Sequence, residues 1–197
     1  MLRIICFLLL VCNITTAQEP FSDGKKIHTR IMFDGKATID IPDHYSMSKF
    51  GMLYEGEDSN STVEADVTYS NTHHTEVVTC VLLKGTQTAQ ELIDGMLLIK
   101  ETYNDQYHNV LRDELVEQDG ATYCYYECVL KDELYTDTGK PGFEYDDGTV
   151  SPNYFLLCYM LHNGRQIHTA IHYDGKKDGL EDFRSRAQQM ITSLKML

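Results

Sequence analysis

The sequence predicts an α+β fold, an antiparallel β-sheet covered by two main helices. Three observations carry this reading. Asp34-Gly35, Asp119-Gly120 and Asn163-Gly164 each separate runs of alternating apolar residues, the pattern of tight β-hairpins. Thr88-Ala89-Gln90-Glu91 is a capping box that opens an apolar stripe at helical spacing. A second such stripe closes the chain.

The elements follow in order. The first hairpin joins residues 27–33 to 36–41, and further strands are expected at 48–54, 63–70 and 75–84, with polar turns between them. After the capping box, Leu92, Ile93, Met96, Leu97 and Tyr103 mark the buried side of a helix. The second hairpin joins 108–118 to 121–130. Its two-residue turn sets Arg112 opposite Glu127 and Leu115 opposite Cys124. One face then reads Leu111, Leu115, Cys124, Cys128 and Leu130 and is expected inside. The other carries Arg112, Glu114, Tyr123, Tyr125 and Glu127 and is expected to be wet. In the third hairpin, 153–162 with 165–173, both faces are apolar, as in central strands covered on two sides. The last helix presents Leu180, Phe183, Ala187, Met190, Ile191 and Leu194 on one stripe, with Arg184, Arg186 and Gln188 elsewhere.

Composition narrows the function. At 42% hydrophobic and 24% charged, the 197 residues suit one globular domain rather than a disordered chain or a membrane bundle. The net charge of −13 argues against nucleic acid, whose phosphates require a Lys/Arg surface. Arg3, the apolar run 4–11 and the small residues before Gln18 have the layout of a signal peptide cut after Ala17. The run is too short for a transmembrane segment, since a bilayer span needs about 20 apolar residues. A lipoprotein start at Cys12 is the less favoured alternative, because the branched Val11 precedes it. The chain is therefore expected to be secreted or periplasmic, with an extension over 18–30 and a single domain over 31–197. Cleavage removes only Arg3 among the charges and takes the net charge from −13 to −14. Asn60-Ser61-Thr62 fits a glycosylation sequon, which matters only in a eukaryotic secretory route.

Four stretches together resemble the PsbP/DcrB-like superfamily. They are Ala37-Thr38-Ile39-Asp40-Ile41-Pro42, a strand ending in Pro; Gln118-Asp119-Gly120-Ala121-Thr122-Tyr123, a turn entering an aromatic strand; Asn163-Gly164-Arg165-Gln166-Ile167-His168; and the closing helix through Ile191-Thr192-Ser193-Leu194. Family members often carry Trp after that Pro and before the last helix, where this chain has Tyr45 and Asp182-Phe183. The resemblance implies an α/β/α sandwich and a non-enzymatic accessory or adaptor role. It carries over no catalytic residue.

Side-chain chemistry points the same way. Cys80, Cys124, Cys128 and Cys158 all sit among apolar neighbours. Cys124 and Cys128, four residues apart on a strand, lie about 13 Å apart and cannot form a disulfide. Whether Cys80 or Cys158 forms one is left open. His168 and His172 have the same strand spacing and are too far apart to share a metal. No nucleophile elbow, phosphate loop, dinucleotide fingerprint or zinc-binding helix is present, and no cofactor is expected. Residues 132–152 form a long acidic connection between hairpins, and such loops tend to be functional. Tyr123 and Tyr125 on the expected wet face, with Phe143, Glu144, Tyr145, Asp146, Asp147 and Tyr154 at the loop, are the candidate partner-binding surface. The leading expectation is an exported accessory or adaptor for another protein. An inhibitor or immunity protein against a cationic enzyme is the alternative, and a small hydrolase comes third.

Overall fold

A computed structural model describes residues 26–48, 63–102, 107–140 and 152–197. The signal peptide, Asn60, Tyr103, the strand expected beyond Ser48 and Phe143, Glu144, Tyr145, Asp146 and Asp147 lie outside the described residues.

The chain runs β1 (Ile27–Met32), β2 (Ala37–Pro42), β3 (Ser46–Ser48), β4 (Val63–Ser70), β5 (Glu76–Leu83), α1 (Ala89–Thr102), β6 (His108–Gln118), β7 (Ala121–Leu130), β8 (Tyr154–His162), β9 (Arg165–Tyr173), α2 (Leu180–Ser193) and β10 (Lys195–Met196). Seven strands form a sheet in the order β3-β4-β5-β9-β8-β7-β6, and β1-β2-β10 form a smaller one. Every strand pair is antiparallel. This is the α+β architecture the patterning predicts, with strand pairing starting at Ile27, ahead of residue 31.

The turns explain the register. Asp119 (φ 52°) and Gly120 (φ 76°) form one tight turn and Asn163 (φ 50°) and Gly164 (φ 74°) the other. Positive φ at both central residues matches the strand twist and suits Asn, Asp and Gly. Gln118 accordingly faces Ala121, and His162 faces Arg165. The first hairpin differs: Met32 pairs with Ala37, so Phe33 to Lys36 make a four-residue turn rather than the two-residue one expected. Phe33 and Asp34 both take positive φ, which lengthens the loop by a residue on each side. The capping box forms reciprocally, Thr88 N donating to Glu91 Oε2 at 2.7 Å and Glu91 N to Thr88 Oγ1 at 3.2 Å.

The two helices cover opposite faces of the large sheet. Leu92 and Met96 of α1 pack on Cys124, Tyr126, Cys128, Phe155, Leu157 and Tyr159. Gly95 lets α1 approach closely, since a Cβ there would stand 3.4 Å from the Tyr159 ring. Phe183, Ala187, Met190 and Ile191 of α2 pack on the other face, against Tyr154, Leu156, Cys158 and Met160, with Ile39 and Ile41 of the small sheet joining the same core. Strand β8 is buried on both faces, as the two-sided apolar pattern predicts.

One face is corrected. The side of β7 expected to be wet is covered by α2: Tyr125 is buried, and Glu127 is only 1% exposed. Glu127 accepts from Arg184 Nε at 2.7 Å, Tyr154 Oη at 3.1 Å and Gln188 Nε2 at 3.2 Å. Tyr154, expected at the surface beside the acidic loop, is fully buried for the same reason. Conversely Leu111 and Leu115, expected inside, are 41% and 51% exposed because β6 is the last strand of the sheet among the described residues. Arg184 and Arg186, expected away from the core, both reach back to sheet carboxylates. Arg186 donates to Glu76 Oε1 at 2.8 Å, and Tyr45 Oη donates to the other oxygen of Glu76 at 2.5 Å.

All four described cysteines are buried free thiols. Cys80 and Cys158 face α2, Cys124 and Cys128 face α1. Cys80 and Cys158 both sit opposite Thr169, so β9 lies between them. Two strand spacings make about 9.5 Å, beyond the 4.4–6.8 Å a disulfide spans. Burial pushes the Cys80 thiol up to about 12 and the Cys128 thiol to about 11, which suppresses the reactive thiolate. A chain beginning at Gln18, alkylated without reductant, is expected to take up label at all four thiols in urea and at none in buffer over the same minutes. A mass showing two labels or fewer in urea would overturn the strand placement.

Candidate functional site

A cleft of about 440 Å3 opens between the end of the β6–β7 hairpin and the C-terminal end of α2. Its floor comes from strand residues that must share a face. Tyr123 sits opposite Met160 across β7 and β8, and Tyr125 lies two residues along on the same side. Its roof is Ile191 and Leu194 from the end of α2 with Met196 of β10, held over the sheet because β10 pairs with β2. Asp119, His162 and Lys195 stand on the rim.

The floor is an ordered aromatic stack. The Tyr123 and Tyr125 rings lie parallel, 3° apart in plane with centroids 5.9 Å apart. The Arg112 guanidinium covers Tyr125 at 3.7 Å from the ring centroid and is itself paired with Glu114. Such a cation–ring contact holds the ring plane in place. Met160 and Leu194 are 1% and 2% exposed, whereas Tyr123 is half-buried, so an occupant entering the cleft meets the Tyr123 ring first.

The polar groups here are suited to holding rather than reacting. Burial, the nearby Cys158 and Asp119 all raise the Tyr123 hydroxyl, which stays a protonated hydrogen-bond donor. Burial raises the Tyr125 hydroxyl and the Cys158 thiol as well. His162 Nδ1 lies 3.3 Å from the Gly120 carbonyl, and its Nε2 takes the Asn163 amide at 2.9 Å, so both ring nitrogens are engaged. Among the described residues, no three His, Cys, Asp or Glu side chains group to hold a metal ion. No helix among them is long and apolar enough to cross a membrane.

The cyanobacterial PsbP (CyanoP) of Synechocystis superposes with a TM-score of 0.55 at 12% identity, covering 88% of this chain and 94% of that one. The fold is PsbP-like. The Saccharomyces cerevisiae Ran-binding protein Mog1p gives a TM-score of 0.46 at 10% identity, covering 87% of this chain and 96% of that one. No protein-family model matches the sequence, and no curated protein matches it either. At these identities the likeness concerns the fold alone.

Within this PsbP-like fold, two of the described sequence-predicted residues meet in the cleft, Tyr123 and Tyr125. Tyr154 lies under α2 instead, hydrogen-bonded to Glu127, and does not reach the cleft. Sequence reasoning missed Met160, His162, Ile191, Leu194, Lys195 and Met196. Met160 was within reach, since placing the β7–β8 register would have set it beside Tyr123. The roof carries no local signal, because only the return of the C-terminus to β2 brings Leu194 and Met196 there.

Proposed function

We propose that this chain is an exported, non-enzymatic binding protein that holds an apolar segment of a protein partner in the cleft above Tyr123 and Tyr125. The supporting observation is the cleft itself. It has an aromatic floor backed by the buried Met160 and Leu194 and a rim carrying Asp119 and Lys195, and none of its groups is tuned as a nucleophile. The accessible lining is more polar than apolar, with the half-buried Tyr123 as its exposed ring, so it suits a side chain that stacks on that ring and bonds to the rim. Burying an aliphatic or aromatic side chain there contributes roughly 1.5–3 kcal/mol. Export rests on the signal-peptide layout of residues 1–17.

The test replaces Tyr123 with a photoreactive benzoylphenylalanine and irradiates the native host. A discrete adduct in the exported fraction, on protein beginning at Gln18, is expected. Thr192→Trp should abolish it by filling the cleft from an exposed position on the last turn of α2. An adduct unchanged by Thr192→Trp, or none at all, would sink the reading. Once the partner is in hand, Tyr123→Ala should weaken binding about tenfold, the loss typical of an interfacial aromatic.

A further inference from the structure

We propose that β6 is a homodimer seam at which two copies of the chain pair their β6 edges antiparallel about a two-fold axis through Asp113. β6 is an 11-residue strand at the end of the described seven-stranded sheet and has no neighbour on its outer side there. Such an edge presents unpaired backbone donors and acceptors. It is also unusually apolar for an edge. Val110, Leu111 and Leu115 are 43%, 41% and 51% exposed, and Leu97 of the helix above is 50% exposed. The Lys100–Asp113 ion pair ties that helix to this strand.

The occupant is specified by self-complementarity. With Asp113 on the axis, Arg112 of each copy lies opposite Glu114 of the other, and the exposed Leu115 falls beside the bulged Leu111 of its copy. Arg112 already pairs with Glu114 along its own strand, so the seam completes a square of four alternating charges. Cross-strand pairs share a face, so the two Arg112–Glu114 pairs meet on the side away from α1, and Leu115 stands on the α1 side with Asp113. Neighbouring registers do worse. Centring on Arg112 or Glu114 stacks like charges, and shifting by one residue sets leucine against a carboxylate or mixes the faces. The two Asp113 carboxylates that meet on the axis are each countered by a Lys100. A β-bulge at Leu111 interrupts the ladder with β7, which resumes from Val110 to His108, so the seam is short and centred on Arg112 to Glu114.

The seam is tested on the mature full-length protein. Sedimentation velocity should show a species of twice the chain mass that dissociates on dilution. Glu114→Arg and Arg112→Glu, each counted twice by the symmetry, should each weaken dimerisation about tenfold, and the double reversal should restore it. A purely monomeric protein overturns the proposal, and so does a dimer indifferent to both reversals. A second measurement does not depend on charge. Asp113→Cys places a thiol directly opposite its own copy, within disulfide reach, and should give a covalent dimer under mild oxidation. Glu117→Cys would lie roughly 27 Å from its copy and should not. Cross-linking of both variants, or of neither, rejects this register. The native thiols are buried and do not compete.

Discussion

Glu127→Ala is expected to destabilise the fold by about 3–5 kcal/mol, read as a fall in the urea midpoint at unchanged slope. The carboxylate is 1% exposed and holds three partners from two other elements: Arg184 and Gln188 of α2 and Tyr154 of β8. Truncation leaves a guanidinium, a phenol and an amide facing a gap in the sheet–helix core. Each hydrogen bond to a charged acceptor contributes about 1.5–3 kcal/mol, and the buried Tyr154 hydroxyl loses its carboxylate, whereas the Arg184 guanidinium, about a third exposed, can turn to water. Typical domains have only 5–15 kcal/mol in total, so α2 should loosen visibly. Chemistry separates this account from simple cavity formation. Glu127→Gln keeps the volume and can still accept from Tyr154 and Arg184, and should lose clearly less. Glu127→Leu combined with Arg184→Leu removes both charges and should be milder than Glu127→Ala alone. If Glu127→Ala proves as mild as an exposed substitution, the buried network is not what fixes α2.

That network also shows where the sequence stops being legible. Hairpin registers, the capping box, the two-sided burial of β8 and the separation of Cys124 from Cys128 depend on residues close in the chain, and local pattern is enough to place them. The face of β7 carrying Tyr123, Tyr125 and Glu127 looks wet because Arg, Glu and Tyr alternate there. Its cover comes from α2, and Glu127 meets Arg184 57 residues along the chain. A polar stripe that solvates a helix and one that finds buried partners are the same string of letters. Arg186 and Glu76 repeat the lesson at a separation of 110 residues. The opposite error, Leu111 and Leu115 expected inside, arises because alternation cannot say which strand ends a sheet. The candidate site falls on this boundary. Its aromatic floor is a local reading, whereas its roof exists only because the last residues return to β2.

The loss of stability on mild acidification should be steep, and two histidines on the α1 face account for much of it. His168 and His172 stand opposite Tyr159 and Phe155. The His168 ring stacks on Tyr159 with centroids 3.6 Å apart, and Gln166 contacts its Nε2 at 2.5 Å. Burial is the sole cause acting on either imidazole, and it pushes both from 6.5 down to about 4. His108 is lowered as well, chiefly by burial. The unfolded chain therefore takes up protons near pH 6.5 that the folded chain refuses until about pH 4. Stability is full above 6.5 and drains away between these values, by up to about 3 kcal/mol for each of the two histidines. Asp174 acts in the opposite sense: burial raises its carboxyl to about 6, so the folded form gains on protonation between 6 and 3.8. Asp174 is exposed and the two imidazoles are half-buried, so the single carboxyl offsets only a fraction of their effect and the net slope keeps the histidine sign. His168→Gln with His172→Gln should flatten the melting temperature between pH 6.5 and 4.5 while changing it little at pH 8. An unaltered acid slope in that double variant would mean that both rings are protonated in the folded protein, and that the α1 face is wetter than its packing indicates.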